Sequence, residues 1–130
     1  MIYRDNKRYN KEIRYEPDNP VMPQLMDGSI QGKLVVPNGT RVIYTRVFQG
    51  FSQLDEIDMP ESVLTLDSYL FVGCNSLRKI VCRAVTPPSI TDRTFNSLPT
   101  ACKIYVPKGS LDVYKNTRYW STLASRIEAI

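Results

Sequence analysis

The sequence predicts an α/β solenoid: a short stack of about three to four turns with parallel strands, a helical C-terminal cap and an extended or hairpin N-terminal arm. Three observations predict it. The 23 residues DMPESVLTLDSYLFVGCNSLRKI, at 58–80, are echoed by the segment before them. Apolar and polar residues alternate at the end of each copy, with the period of two that a strand imposes. After Pro107 the pattern gives way to helix-like spacing, as it must where a stack is closed.

The repeat is legible residue by residue. At a shift of 23, Pro37 falls on Pro60, Ile43 on Leu66, Val47 on Leu70, Phe48 on Phe71, Gly50 on Gly73, Phe51 on Cys74, Leu54 on Leu77 and Ile57 on Ile80. A looser copy follows at a shift of 24, placing Ile90 on Leu66, Phe95 on Phe71, Leu98 on Cys74 and Ile104 on Ile80. Val106-Pro107 starts a further copy that is not completed. One turn of this size cannot bury its own apolar face, so turns stack and share a continuous core. The repeats occupy 34–107, between an N-terminal arm or cap at 1–33 and a C-terminal cap at 108–130.

Residues 1–16 alternate tyrosines with Arg, Lys and Glu, and Asp5-Asn6 suits a two-residue hairpin turn. Residues 17–28 carry three prolines, which exclude helix and central strand. That stretch is expected to be extended, with Val21, Met22, Leu25 and Met26 needing burial. Two roles suit the arm equally. It caps the open end of the stack, whose first strand would otherwise present an unpaired edge. Or it docks a larger assembly through Tyr3, Arg4, Tyr9, Ile13, Tyr15, Val21, Met22, Leu25 and Met26.

Strands are expected at 34–36, 56–59, 79–82 and 103–106, with Leu34, Val36, Ile57, Met59, Ile80, Cys82, Ile104 and Val106 facing inward. The return segments, with Val47-Phe48, Leu70-Phe71 and Phe95, are each expected to form a helical turn with an aromatic ring on the strand layer. Alternation leaves two outward rows, Lys33, Glu56, Lys79, Lys103 and Val35, Asp58, Val81, Tyr105. At a parallel spacing of about 4.8 Å, Lys33–Glu56–Lys79 is a favourable charge alternation of a few tenths of a kcal/mol per pair. A solvated face is the bland reading. The functional one is a small binding face formed by Glu56, Asp58, Lys79, Val81, Lys103 and Tyr105. Four strands span only about 15 Å between their outer axes.

In the C-terminal segment Ser110 is placed to N-cap a helix over 111–115, with Asp112 in its first turn. A second short helix is expected over 121–127, and Trp120 anchors the cap.

Composition excludes several classes. The net charge is +4, from 17 basic and 13 acidic residues, and the basic residues are scattered rather than clustered as nucleic-acid binding requires. There is no histidine, which removes the commonest general base and metal ligand. The three cysteines, Cys74, Cys82 and Cys102, show no C-x-x-C spacing and read as small core residues. No phosphate-binding glycine loop or nucleophile elbow is present. Alternation sends some of the acids Asp55, Glu56, Asp58 and Glu61 to different sides of the chain, which argues against a shared site. These features argue against an enzyme, and no cofactor or metal is expected. No stretch is apolar enough for membrane insertion, and MIYRDNKRYN lacks the apolar core of a secretion signal.

The motifs Pro60-x-x-Val63, Tyr69-Leu70-Phe71-Val72-Gly73-Cys74-Asn75-Ser76-Leu77, Thr86-Pro87-Pro88, Ile104-Tyr105-Val106-Pro107-Lys108-Gly109-Ser110 and Tyr114-Lys115 with Trp120 carry a resemblance. Residues 35–127 resemble the leucine-rich repeats of the BspA type, found in bacterial surface proteins, some protists and phages. The period of 23 lies in the leucine-rich range. The resemblance implies adhesion or protein binding rather than catalysis. With no export signal read in the chain, the expected setting is a bacteriophage virion, attached to capsid or tail with its repeats displayed. A secreted bacterial surface adhesin is the alternative. The partners expected are virion proteins or further copies of the chain, with a host-surface protein or glycan at the outer end.

Overall fold

The computed structural model describes residues 32–130. The N-terminal arm and its candidate docking residues, Tyr3, Arg4, Tyr9, Ile13, Tyr15, Val21, Met22, Leu25 and Met26, lie outside the described residues. In chain order the strands are β1 (Gly32–Val35), β2 (Val42–Ile43), β3 (Leu54–Met59), β4 (Thr65–Leu66), β5 (Lys79–Cys82), β6 (Lys103–Val106) and β7 (Ile127–Ala129). The cap contains a 3-10 turn (Lys108–Ser110), the helix α1 (Leu111–Asn116) and a 3-10 helix (Trp120–Arg126).

The alternation at the end of each repeat builds one parallel sheet, in the order β1-β3-β5-β6-β7. Its register places Leu34, Ile57, Ile80, Ile104 and Ile127 in one column. All five are buried, as are Val36, Met59, Cys82 and Val106, so every expected inward residue is in the core. A strand with one face in the core is fixed in register, because a slip of one residue would turn every apolar side chain outward. The first strand begins earlier than expected and stops at Val35, while the Val36 N–H still donates to the Asp58 carbonyl at 2.9 Å.

The return segments correct the expectation of helical turns. Each is a chain of tight turns: Val47 N–H reaches Tyr44 O, Gln49 reaches Arg46 O, and Phe51 reaches Phe48 O. A helix cannot propagate there, because left-handed residues recur in phase. Arg46 and Tyr69 have φ of 62° and 59°, and Gly50 and Gly73 both have 83°. The glycines also allow a close approach of backbones. A Cβ on Gly73 would lie 3.0 Å from the Gly50 nitrogen, and the Gly50 N–H donates to the Val72 carbonyl at 2.8 Å. The return side also forms a second small parallel sheet, β2 with β4, extended by a bridge from Thr65 to Ser89.

Stacking the turns stacks their aromatic rings. Phe48 and Phe71 lie 5.9 Å apart, Phe71 and Phe95 5.4 Å, Phe95 and Trp120 5.3 Å, and Tyr114 meets Trp120 edge-on at 4.9 Å. Such pairs contribute about 0.5–1.5 kcal/mol each beyond the area they bury. A polar ladder runs beside them, from the Thr45 hydroxyl donating to Ser68 O at 2.8 Å to the Ser68 and Thr91 hydroxyls, also 2.8 Å apart.

The cap closes this column and anchors on Trp120, which is fully buried and donates from Nε1 to the Pro88 carbonyl at 2.8 Å. Tyr114 donates to Ala84 O at 2.6 Å, and Arg126 donates to Pro99 O at 2.7 Å. Two expectations are corrected here. Residues 121–127 do not form one helix. The 3-10 helix ends at Arg126, and Ile127 opens β7, which pairs in parallel with β6. The isoleucine column favours this, since Ile127 fills the next inward position beyond Ile104. Ser110 does precede α1, but its hydroxyl donates to the Val85 carbonyl at 2.7 Å instead of capping the helix. The preceding 3-10 turn already supplies Lys108 O to the Leu111 N–H.

Candidate interaction face

The outward positions of the five-stranded sheet form two adjacent rows. Register aligns Lys33, Glu56, Lys79 and Lys103 in one, and Val35, Asp58, Val81, Tyr105 and Glu128 in the other. All six candidate residues, Glu56, Asp58, Lys79, Val81, Lys103 and Tyr105, therefore share one face. They do not contribute equally. Asp58 and Val81 are 6% and 4% exposed, so they form the floor of the face and not its contact surface. The expectation that Asp58 and Val81 belong to the binding surface itself is corrected accordingly. The groups that stand outward are Lys33, Val35, Glu56, Lys79, Lys103, Tyr105 and Glu128.

Asp58 is covered because its neighbours reach across it. Arg83 grips it with two of its nitrogens, Nε to Oδ1 at 2.8 Å and Nη2 to Oδ2 at 2.9 Å. Lys33 Nζ stands 3.6 Å from Oδ2 on the other side. The Arg83 hydrogen bonds hold the Asp58 carboxyl below its ordinary pKa against the opposing effect of burial, and the charges of Arg83 and Lys33 add to the pull. Arg83 was not singled out from sequence. The signal was available, since the repeat holds Pro37, Pro60 and Pro107 at the equivalent positions. Arginine there restores an N–H, which donates to the Met59 carbonyl at 3.1 Å and prolongs the sheet.

The expected charge alternation holds for its first half. Lys33 pairs with Glu56 at 3.5 Å. Lys79 instead sits over the Tyr105 ring, 5.2 Å from its centroid. Lys103 pairs with Glu128 at 3.3 Å, a partner supplied by the unforeseen β7. These exposed pairs contribute about 0–1 kcal/mol each, so they fix the pattern of the face more than its stability. A shallow concavity of about 640 Å³ lies at the entry to the strands, bordered by Gln53, Asp55, Asn75 and Arg78.

The nucleophilic side chains serve the core. Cys74, Cys82 and Cys102 are free and buried. Burial pushes the Cys74 and Cys102 thiols up to about 11 and raises Cys82 as well. Burial likewise raises the Tyr114 hydroxyl. Among the described residues no group of three or more His, Cys, Asp or Glu is placed to hold a metal ion, and no helix is long and apolar enough to cross a membrane.

Parallel strands from successive in-phase turns, with an unbroken column of branched aliphatics and aromatics inside, define a leucine-rich repeat solenoid. The family model "BspA type Leucine rich repeat region (6 copies)" matches residues 27–125. The chain belongs to this family, whose repeats are generally non-enzymatic and mediate protein–protein binding. No curated protein matches the chain.

Proposed function

We propose that the chain is a non-catalytic interaction module that works as part of a larger assembly, most specifically a bacteriophage particle. Residues 1–28 form the docking end, and the sheet face or the 108–130 cap points outward. The size of the face supports this reading. Five strands at about 4.8 Å spacing, paired over roughly four residues or about 13 Å, give an area of roughly 250 Å². A standard stable interface buries about 800 Å² per partner. A face this small binds firmly when many copies act together, since linked sites gain avidity without any new contact. A particle carrying many copies supplies that condition. The occurrence of BspA-type repeats in phages agrees with it. A bacterial surface bearing many copies of an adhesin supplies it too, and is the second reading.

The test is light scattering on the full chain and on a chain lacking residues 1–28, combined with mass spectrometry of purified phage particles and of the bacterial surface fraction. The full chain is expected to self-associate or to be found in particles, and the shortened chain to stay folded and monomeric. Recovery from the surface fraction alone would favour the adhesin. If deletion of 1–28 unfolds the repeats, the segment is a cap and the docking assignment fails.

A further inference from the structure

We propose that the seam between the last regular turn and the C-terminal cap binds one neutral pyranose unit, a hexose or N-acetylhexosamine, of a surface glycan. A cavity of about 150 Å³ opens there. Asp92, Asn96 and Thr122 give it polar walls, and Phe95, Tyr119 and Leu123 give it apolar ones. The proposal deepens the recognition-module reading and rests on it for the setting in which a glycan is met.

Two features coincide at this cavity, a departure from the repeat pattern at Phe95 and a left-handed residue at Tyr119. In the earlier turns Phe48 and Phe71 are 1% and 0% exposed, whereas Phe95, at the same position, is only partly buried. Its ring borders the opening. On the facing side Tyr119 adopts φ of 68°, a left-handed conformation that side-chain-bearing residues avoid. The surroundings hold it there. The Arg118 guanidinium lies 4.7 Å over the Tyr119 ring, and the Tyr119 carbonyl accepts hydrogen bonds from the Thr122 N–H at 3.2 Å and the Thr122 hydroxyl at 2.7 Å. A strained backbone that presents an aromatic side chain to a cavity points to a use for that ring.

The lining matches the two-sided chemistry of a pyranose. A sugar ring has an apolar C–H face, which aromatic rings accept, and a rim of hydroxyls. A carboxylate accepts two adjacent hydroxyls, and a carboxamide both donates and accepts. The Asp92 side chain is 68% exposed, and its nearest cation, Arg93, stands 3.9 Å away and is exposed as well. Such a loose pair leaves carboxylate oxygen for a ligand. Among the described residues, Asp92 is also the only charged group in the lining. It repels carboxylated or sulfated sugars, so the ligand is neutral. The volume admits one ring, and the rest of the glycan leaves through the mouth.

The test is ligand-detected NMR, with amide shift mapping on the isotope-labelled full chain, using the methyl glycosides of glucose, galactose, mannose and N-acetylglucosamine, and that of N-acetylneuraminic acid as the acidic probe. At least one neutral glycoside is expected to bind with a Kd of about millimolar order, with amide shifts confined to 90–96 and 119–123. Asp92→Ala and Asn96→Ala, both at exposed positions, are expected to weaken it about tenfold each. Tyr119→Gly suits the left-handed backbone and is expected to abolish binding while the fold persists. The proposal is overturned if no neutral glycoside binds up to about 20 mM, if shifts fall elsewhere, if the acidic probe binds better, or if Asp92→Ala and Asn96→Ala bind as the parent does. Any of these results leaves the sheet-face reading standing. Loss of partner binding on mutating the sheet face would in turn leave the pocket intact.

Discussion

Thr40 offers a direct test of the repeat logic. It is 1% exposed, and its hydroxyl has no hydrogen-bond partner among the described residues. Its counterpart one turn on is Val63, also 1% exposed. The two share a local backbone, since each N–H donates at 3.3 Å to the proline three residues earlier, Pro37 or Pro60. Thr40→Val therefore installs the repeat's own residue in a matching environment. A buried, unpaired hydroxyl costs about 1–3 kcal/mol, and a buried methyl in its place adds about 0.8 kcal/mol. Both side chains are β-branched, so rotamer entropy changes little. The net expectation is a stabilisation of about 2–4 kcal/mol, and a rise in Tm of about 4 °C per kcal/mol. Chemical denaturation followed by circular dichroism reads the first quantity, and a thermal melt the second. Val63→Thr is expected to lose a similar amount. If Thr40→Val is neutral or destabilising while Val63→Thr is costly, the two sites are not equivalent and the reasoning fails.

Four further predictions follow from the same geometry. Ser97, at φ of 69°, occupies the position of Gly50 and Gly73, so Ser97→Gly is expected to gain about 0.5 kcal/mol after glycine's entropy is subtracted. In the same melts, Gly73→Ala should cost more than Gly50→Ala, because only at Gly73 does a Cβ meet backbone, at 3.0 Å. Asp58→Asn is expected to destabilise the fold by about 1 kcal/mol at neutral pH, discounted because Arg83 is half exposed. Asp58 has a folded pKa below its unfolded one, so its contribution is complete above the ordinary value of about 3.9 and is lost as pH falls through the folded pKa. The difference between parent and variant should close in acid-range denaturation curves, and a constant difference would refute the linkage. The three thiols are expected to resist a thiol reagent at pH 8 in the native protein and to react fully in denaturant; rapid native labelling would contradict their burial.

The inward columns were legible because each repeat restates them. Ile57, Ile80 and Ile104 fall at the same phase, and a shared core allows them only one orientation. Trp120 as the anchor was legible too, as the single tryptophan at the point where the repeat breaks down. What was hidden depends on contacts that phase does not encode. β7 is three residues long and follows Leu123 and Ala124, whose spacing with Ile127 imitates a helix. The turns in place of helices depend on left-handed Arg46 and Tyr69, residue types that do not announce that conformation. The burial of Asp58 depends in part on a long arginine folding over from the next strand, which alternation cannot reveal. The cavity at the seam arises where one periodic structure meets a non-periodic one.

The contact of Gly50 with Gly73 carries a consequence for how such a face can vary. Main chain rests on main chain there, so the pitch between those turns is set by atoms that no substitution elsewhere alters. The outward side chains hang from a grid of fixed spacing, much as type is set in a frame. Lys33, Glu56, Lys79, Lys103 and Glu128 can be exchanged for other characters while the frame holds its dimensions. A change of partner therefore requires new letters on the face and leaves the interior untouched.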